Sequence, residues 1–221
     1  MANWVHSAIQ NNMDWYQAQC AAHDIVDVRT DTTWYSTQPM PPLHSNLILT
    51  RAQDAELIPE IDEHLATRWS IKDATGNLDL TTHGFEVLFE AHWFVREPSD
   101  CIAPNEVSKI TSEHAFSEWV AAWGESAEVF KRRFWSHPNV SFFHDNAWQG
   151  GIAANVSHDA IGITNPWGDE ASINKCIQAI AHQHPTLPIV GYDHMPEIDA
   201  MSQLGFRSTA PLTVWLQRVP G

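Results

Sequence analysis

Basic side chains are scarce in this sequence. Twelve Lys and Arg residues stand against 27 Asp and Glu residues, which gives a net charge of −15. A surface of this sign repels nucleic acids and anionic membranes, so we expect neither as the main partner. The same charge is compatible with a cationic ligand such as an amine.

Cysteine is also sparse, and long apolar runs are missing. The three residues Cys20, Cys101 and Cys176 are widely spaced, which predicts neither a disulfide framework nor a zinc knuckle. No apolar run approaches the length of a membrane span, and the first residues lack the basic and apolar segments of a signal peptide. We therefore expect a soluble, cytoplasmic protein.

Two kinds of catalytic site lack their usual sequence pattern. The sequence contains 13 His, yet His182, His184 and His194 have no Cys or carboxylate at a spacing typical of zinc ligands, so we predict no metal site. The Gly-x-Ser-x-Gly motif of α/β-hydrolases is absent.

Apolar residues are plentiful: 43% of the 221 residues are hydrophobic, enough for one large domain or two smaller modules. Residues 46–96 predict the order strand, helix, strand, short helix, strand. The segment 97–105 contains Pro98 and Pro104 and is typical of a connector. We place a module boundary there, with an N-terminal module at 1–98 and a C-terminal module at 105–221.

The sequence pattern of the C-terminal module predicts more helices and strands than that of residues 46–96. A strand near 107–110 precedes a helix with an apolar stripe, and segments 140–144, 150–156 and 160–164 predict antiparallel strands. A helix around Ile173–Ile180, a buried strand at 187–192, a short helix and a final strand at 212–217 follow. An amphipathic helix that ends near His23 begins the whole chain.

The two modules end alike. His83-Gly84-Phe85 leads into a long apolar strand, and Leu204-Gly205-Phe206 leads into another. In both places the Gly is suited to the left-handed conformation that ends a helix. We predict that Gly84 and Gly205 hold equivalent positions in two similar halves.

This order of elements, with Leu-Gly-Phe before the last strand, resembles the GNAT acyltransferase superfamily. The resemblance covers residues 105–221 as a complete unit and residues 45–97 as a partial one, as in tandem members. It implies an α/β fold with a mixed, mostly antiparallel twisted sheet flanked by helices. It also implies acetyl-CoA as a cosubstrate, bound in a cleft between splayed strands at 160–164 and 187–192.

The resemblance further implies which residues hold the cosubstrate. In the superfamily the first splayed strand holds the pantetheine arm through its backbone, and the turn into the next helix binds the diphosphate through its amides. The residues at these places are Ile163, Thr164, Asn165, Trp167, Gly168, Ala171 and Ser172. Ser172 is also predicted to cap the helix.

Candidate acids and bases come from the ends of the same strands. His158 or Asp159 is a candidate base that deprotonates the acceptor amine, and the alternative is an ordinary Ser-His-Asp turn. Tyr192 and Asp193 end the other strand, and Tyr192 is a candidate acid for the leaving thiolate. Its alternative is a Tyr at the protein boundary with its hydroxyl in solvent.

The sequence departs from the superfamily pattern at two positions that carry chemistry. Asp169 and Glu170 stand about where an Arg is usual, and two carboxylates repel a diphosphate. Met201 stands where a proton-donating Tyr is common. Two functions follow as hypotheses: an N-acetyltransferase acting on a small amine or a protein amino group, or a noncatalytic GNAT-like binding or regulatory protein.

Overall fold

The computed structural model describes residues 4–99, 102, 104–157 and 159–218. The α-helices of this part are α1 (Trp4–His23), α2 (Ile58–His64), α3 (Glu113–Trp123), α4 (Glu170–Gln183) and α5 (Met195–Ala200). Its strands are β1 (Val28–Arg29), β2 (Thr33–Tyr35), β3 (Leu47–Leu49), β4 (Ser70–Asp73), β5 (Phe85–Arg96), β6 (Val107–Lys109), β7 (Val140–Asp145), β8 (Gly150–Val156), β9 (Ile161–Gly168), β10 (Ile189–Asp193) and β11 (Phe206–Gln217). Among the described helices, none is long and apolar enough to cross a membrane.

The strands form a single sheet in the order β1-β2-β3-β4-β11-β5-β10-β9-β8-β7-β6. Strand β3 is parallel to β4, and β9 is parallel to β10. The other neighbours are antiparallel. With helices packed on the sheet, the predicted mixed, mostly antiparallel α/β architecture is confirmed.

The centre of the sheet joins the two ends of the sequence. Strands β5 and β11 pair with each other along their length. Strand β5 also pairs with β10, and β11 also pairs with β4. The last strand of each half therefore lies beside a strand of the other half. The sheet is continuous across the connector, and the division at 98–105 stays a prediction.

Gly84 and Gly205 end short helical turns, as the sequence predicts. A 3₁₀-helix at Thr81–His83 ends at Gly84, where φ is 84°, and another at Met201–Leu204 ends at Gly205, where φ is 83°. Both angles are in the left-handed region that favours glycine. Each Gly precedes a 12-residue strand. That the two halves superpose as wholes stays a prediction.

Several strands differ in extent from their sequence prediction. Strand β9 continues to Gly168, because β8 offers it partners as far as Gly150, and a bulge opposite Ile152 accommodates Asn165 and Pro166. The turn before α4 is therefore shorter than predicted. Strand β11 begins at Phe206 because β5 pairs with it from that point. The short edge strands β1 and β2 were not predicted.

Helix α1 lies on one face of the sheet, and α4 and α5 lie on the other. The buried residues of α1 share a core with Trp93 of β5, whereas the next residue, Phe94, packs with the buried face of α4. Alternation along the strand explains this division. The α1 residues Ile9, Met13, Tyr16 and Cys20, which are spaced at helical periodicity, are all buried.

We predict that Gly84→Ala and Gly205→Ala each lower the free energy of unfolding by about 1–2 kcal/mol, because a left-handed backbone disfavours a Cβ. A Cβ at Gly84 meets no atom within 4 Å, so the backbone alone carries the effect there. Urea denaturation measures it.

Asn is the matched control at both positions, since it tolerates this conformation better than Ala. The expected order of stability is Gly, then Asn, then Ala. Equal stability of the native protein and its Asn and Ala variants would contradict the assigned backbone conformation.

Candidate functional site

A cleft opens between β9 and β10, where the resemblance to the superfamily implies one. The two strands pair at Ile161–Ile189 and at Gly162–Val190. Beyond these pairs β10 follows β5 as far as Asp193, while β9 follows β8 as far as Gly168. The strands therefore separate toward their C-terminal ends.

A cavity of about 480 Å³ occupies this cleft. Its size is within the range of small-molecule sites. Helix α1, strands β5 and β10, and helices α4 and α5 supply its walls together with β9. Its polar lining residues are Asn11, Asn12, Asn155, Thr164, Asn165, Glu170, Asn174, Tyr192, Asp193 and Glu197.

Six of the predicted site residues line this cavity. They are Ile163, Thr164, Asn165, Gly168, Tyr192 and Asp193. Thr164 donates a hydrogen bond from Oγ1 to Asn165 Oδ1 at 2.9 Å. Asn165 has a positive φ of 52°, which Asn adopts more readily than most residues, and it belongs to the bulge of β9.

Three other predicted residues do not line it. Trp167 points into the core, where its ring lies 6.1 Å from that of Trp119. Ala171 is exposed on α4, and Ser172 is buried beneath the start of that helix. Their predicted contact with a cosubstrate finds no support in these positions.

The N-terminus of α4 carries a carboxylate. Asp169, and not Ser172, is the N-cap: its Oδ1 accepts a hydrogen bond from the Ser172 amide at 2.8 Å, and its Oδ2 accepts one from the Ser172 hydroxyl at 3.2 Å. The prediction of Ser172 as the cap is wrong, because Asp169 reaches the amide three residues ahead. Lys175, on the next turn, forms an ion pair with Glu106.

The start of α4 is unfavourable for a diphosphate, because two carboxylates stand there. The Asp169 carboxylate takes an amide that an anion would need, and Glu170 lines the cavity beside it. Gly168 has a positive φ of 86°, and a Cβ there would lie 1.9 Å from the Gln149 carbonyl oxygen. The glycine thus permits close approach of β8, which is a different use from making room for phosphate.

The predicted base residues lie apart from the cleft or outside the described structure. Asp159 precedes β9, at the end where β9 and β10 are paired, and its Oδ2 accepts a hydrogen bond from Ser7 Oγ of α1 at 2.8 Å. Asp159 does not line the cavity in the cleft. His158 is outside the described residues. The geometry of Asp159 indicates attachment of α1 to the turn, and it gives no support to a role as base.

Helix α1 supplies polar groups that sequence reasoning missed. Asn11 Nδ2 donates to the Asn155 carbonyl oxygen at 3.1 Å, and Asn155 Nδ2 donates back to the Asn11 carbonyl oxygen at 3.0 Å. A Cβ at Gly162 would lie 1.9 Å from Asn11 Oδ1. Glycine at 162 thus lets the helix approach the cleft closely.

A second cavity of about 400 Å³ adjoins the first. The two share Asn12, Trp15, Thr164, Asn165 and Tyr192 in their walls. Tyr192 therefore stands between them. Its ring also packs edge-on against that of Trp93, at 5.4 Å between centroids, which fixes its orientation.

Lys72 lines the second cavity and was also missed. Its side chain is almost fully buried, with 1% of its surface exposed. Nζ donates to Asn12 Oδ1 at 2.8 Å and lies 3.2 Å from Tyr192 Oη. It also lies over the rings of Tyr16 and Tyr192, at 4.8 and 4.3 Å from their centroids. Its position in the predicted strand 68–72, between apolar segments, was the only signal in the sequence.

Lys72 and Tyr192 occupy corresponding places in the sheet. Lys72 pairs with Val214 of β11, and Tyr192 pairs with Trp93 of β5. Both partners lie eight residues after the Phe that begins their strand. The two side chains thus meet at the centre, one from each half of the sequence.

Burial shifts the pKa values of these groups. It lowers the pKa of Lys72 to about 7 and raises the pKa of Tyr192 well above its usual value. Burial also raises the pKa of Asp193. Titratable groups with such shifts in a cleft are typical of functional sites, although structural groups show them too.

No cluster of three or more His, Cys, Asp or Glu side chains suited to a metal ion occurs within residues 4–99, 102, 104–157 and 159–218.

The comparisons with known proteins support the fold. No protein-family model matches the sequence, and no curated protein matches it significantly. A GCN5-related N-acetyltransferase from Kribbella flavida matches the structure with a TM-score of 0.66 at 11% identity, over 96% of each chain. A putative acetyltransferase of the GNAT family from Novosphingobium aromaticivorans matches with a TM-score of 0.61 at 10% identity, over 92% of this chain and 96% of that one. The chain has the GNAT fold.

We predict that Lys72 makes stability rise with pH between about 7 and 9. The folded pKa of Lys72 is about 7, below the unfolded value of about 10.4. In this window the unfolded chain binds a proton that the folded chain lacks, so raising the pH favours folding, by about 1.4 kcal/mol per pH unit for one group.

The measurement is the free energy of unfolding against pH for the native protein and for Lys72→Met. The difference between the two slopes of unfolding free energy against pH gives the contribution of Lys72, since the other titrating groups are common to both proteins. Lys109→Met, which alters an exposed lysine, is the control and should keep the native slope. Parallel curves for native protein and Lys72→Met would contradict a lowered pKa.

Proposed function

We propose that the protein is an N-acetyltransferase that binds acetyl-CoA in the cleft between β9 and β10 and acts on a small amine or a protein amino group. The observation that carries this proposal is the separation of the two parallel strands around a cavity of about 480 Å³. The GNAT fold adds support, because solved structures with this fold are described as acetyltransferases.

The cosubstrate supplies the activated acyl group, and the residues of the chain orient it and move protons. The pairing of β9 with β10 ends at Gly162, so the stretch of β9 at Ile163 and Thr164 is where we place the pantetheine arm. Tyr192 stands where the two cavities meet. The phenol is protonated at neutral pH, so Oη carries a proton for a leaving thiolate, and the hydrogen bond that Lys72 Nζ donates to Oη favours release of that proton.

Asp193 is the candidate base at the same end of β10. It lines the cleft, and burial raises its pKa toward the range in which a carboxylate accepts protons effectively. Met201 lines the cleft as well, and a thioether has no proton to donate. We therefore assign the acid role to Tyr192.

A second candidate function is that of a GNAT-like binding protein that transfers no acyl group. The Asp169 carboxylate at the N-terminus of α4 favours this candidate, because it stands where members of the superfamily bind the diphosphate. Calorimetry measures binding of the cosubstrate, and release of the free thiol measures acyl transfer. A transferase gives both signals, whereas a binding protein gives no thiol release.

We predict that acetyl-pantetheine and acetyl-CoA both bind, and that only acetyl-CoA gains affinity in the double variant Asp169→Asn, Glu170→Gln. Unit charges about 4 Å apart interact by roughly 1 kcal/mol in water, so removal of two carboxylates should strengthen binding roughly tenfold at low salt. The gain should shrink as salt screens the charges. Asn at 169 still caps the helix.

The matched control is Glu60→Gln, Glu63→Gln on α2, which removes the same net charge at exposed positions away from the cleft. It should leave both affinities unchanged. Binding of neither ligand by any variant would sink the transferase proposal. Binding without thiol release, over a panel of small amines and peptides, would favour the binding protein.

A further inference from the structure

The second cavity contains a buried lysine without an anionic partner. No carboxylate of the described residues forms an ion pair with Lys72, whose contacts are the amide oxygen of Asn12, the hydroxyl of Tyr192 and two aromatic rings. A buried charge without an ionic partner is costly, and an ammonium has three donors to satisfy. Lys72 therefore has capacity left for an anion.

The neighbouring titratable groups are neutral near pH 7 and below, so they do not compensate the charge of protonated Lys72. Tyr16 of α1 and Tyr192 of β10 stay protonated, because burial raises both pKa values. Burial lowers the pKa of His44, which precedes β3, to about 4, and this ring is neutral. Its Nε2 accepts from Trp15 Nε1 at 3.2 Å, while its Nδ1 lies 3.0 Å from the Pro42 carbonyl oxygen.

The rest of the cavity wall is mainly apolar. Trp15, Phe89, Val214 and Leu216 line it around Lys72. Leu43 and Leu88 also line it, and 66% and 51% of their surfaces are exposed, so they mark a mouth to solvent. The cavity thus combines an apolar entrance and body with one buried cationic end.

We propose that this cavity is a binding site for a small organic carboxylate with an apolar body, whose carboxylate pairs with Lys72. The site does not depend on acyl transfer. Because the two cavities adjoin and share Asn12, Thr164 and Tyr192 in their walls, a ligand there can present a second group toward the cleft. Where acyl transfer proceeds as proposed, the carboxylate belongs to the amine-bearing acceptor, and that extension alone rests on the proposed function.

The test uses isovalerate and phenylacetate as probes, with the neutral amides isovaleramide and phenylacetamide as matched controls. No acyl-CoA is present, so the result is separate from the transferase test. At least one carboxylate should bind at slightly acidic pH, and its amide should bind at least tenfold more weakly. Failure of both carboxylates to bind, or equal binding of acid and amide, overturns the proposal.

NMR titration of the lysine side chains shows which lysine pairs with the bound carboxylate. The chain has four lysines, Lys72, Lys109, Lys131 and Lys175, so isotope-labelled lysine gives few signals to assign. Bound carboxylate should raise the pKa of Lys72 and leave the other three unchanged. By linkage, the dissociation constant should rise about tenfold per pH unit above the free pKa of about 7 until the bound pKa is reached. An unchanged Lys72 titration overturns the proposal.

Two variants complete the experiment. Lys72→Met should weaken carboxylate binding at least tenfold, and Lys109→Met should leave it unchanged. The comparison of acid with amide in the native protein needs no variant, so it decides the matter even where Lys72→Met folds poorly.

Discussion

The antiparallel pairing of β5 with β11 is the constraint on which the rest of the structure depends. These strands pair from Phe206–Arg96 to Gln217–Phe85, and each also holds a strand of the other half of the sequence. Strand β10 is thereby bound to β5 along its length, while β9 is bound to β8. Since β9 and β10 are committed to different neighbours, they separate, and the cleft follows from the pairing of the sheet.

Helix α1 turns this cleft into a shaped cavity. The reciprocal hydrogen bonds between Asn11 and Asn155 attach the helix to β8. Gly162 has no Cβ to obstruct the approach. Asn12, Trp15 and Tyr16 then lie over the centre of the sheet, where they help to line the second cavity beside Lys72 and Tyr192. The first segment of the sequence thus contributes to a site whose other walls come from both halves of the sequence.

Charge divides the site into two unlike ends. Asp169 and Glu170 make the start of α4 acidic, which opposes an anionic ligand there. Lys72 places a cation at the other end, in surroundings that screen it little. An uncharged or cationic group is therefore favoured near α4, and an anion near Lys72.

Local sequence patterns were sufficient for much of the fold. The periodicity of Ile9, Met13, Tyr16 and Cys20 indicated α1, and Gly84 and Gly205 marked two helix ends. The runs 140–144 and 150–156, separated by a turn, indicated a hairpin. These features depend on neighbours in sequence. The cleft and its residues Thr164, Asn165 and Tyr192 were reached only through the resemblance. Tertiary structure alone decided that β5 and β11 pair, that Trp167 enters the core, and that Lys72 meets Tyr192. Those outcomes depend on contacts between segments far apart in the chain, which no local periodicity encodes.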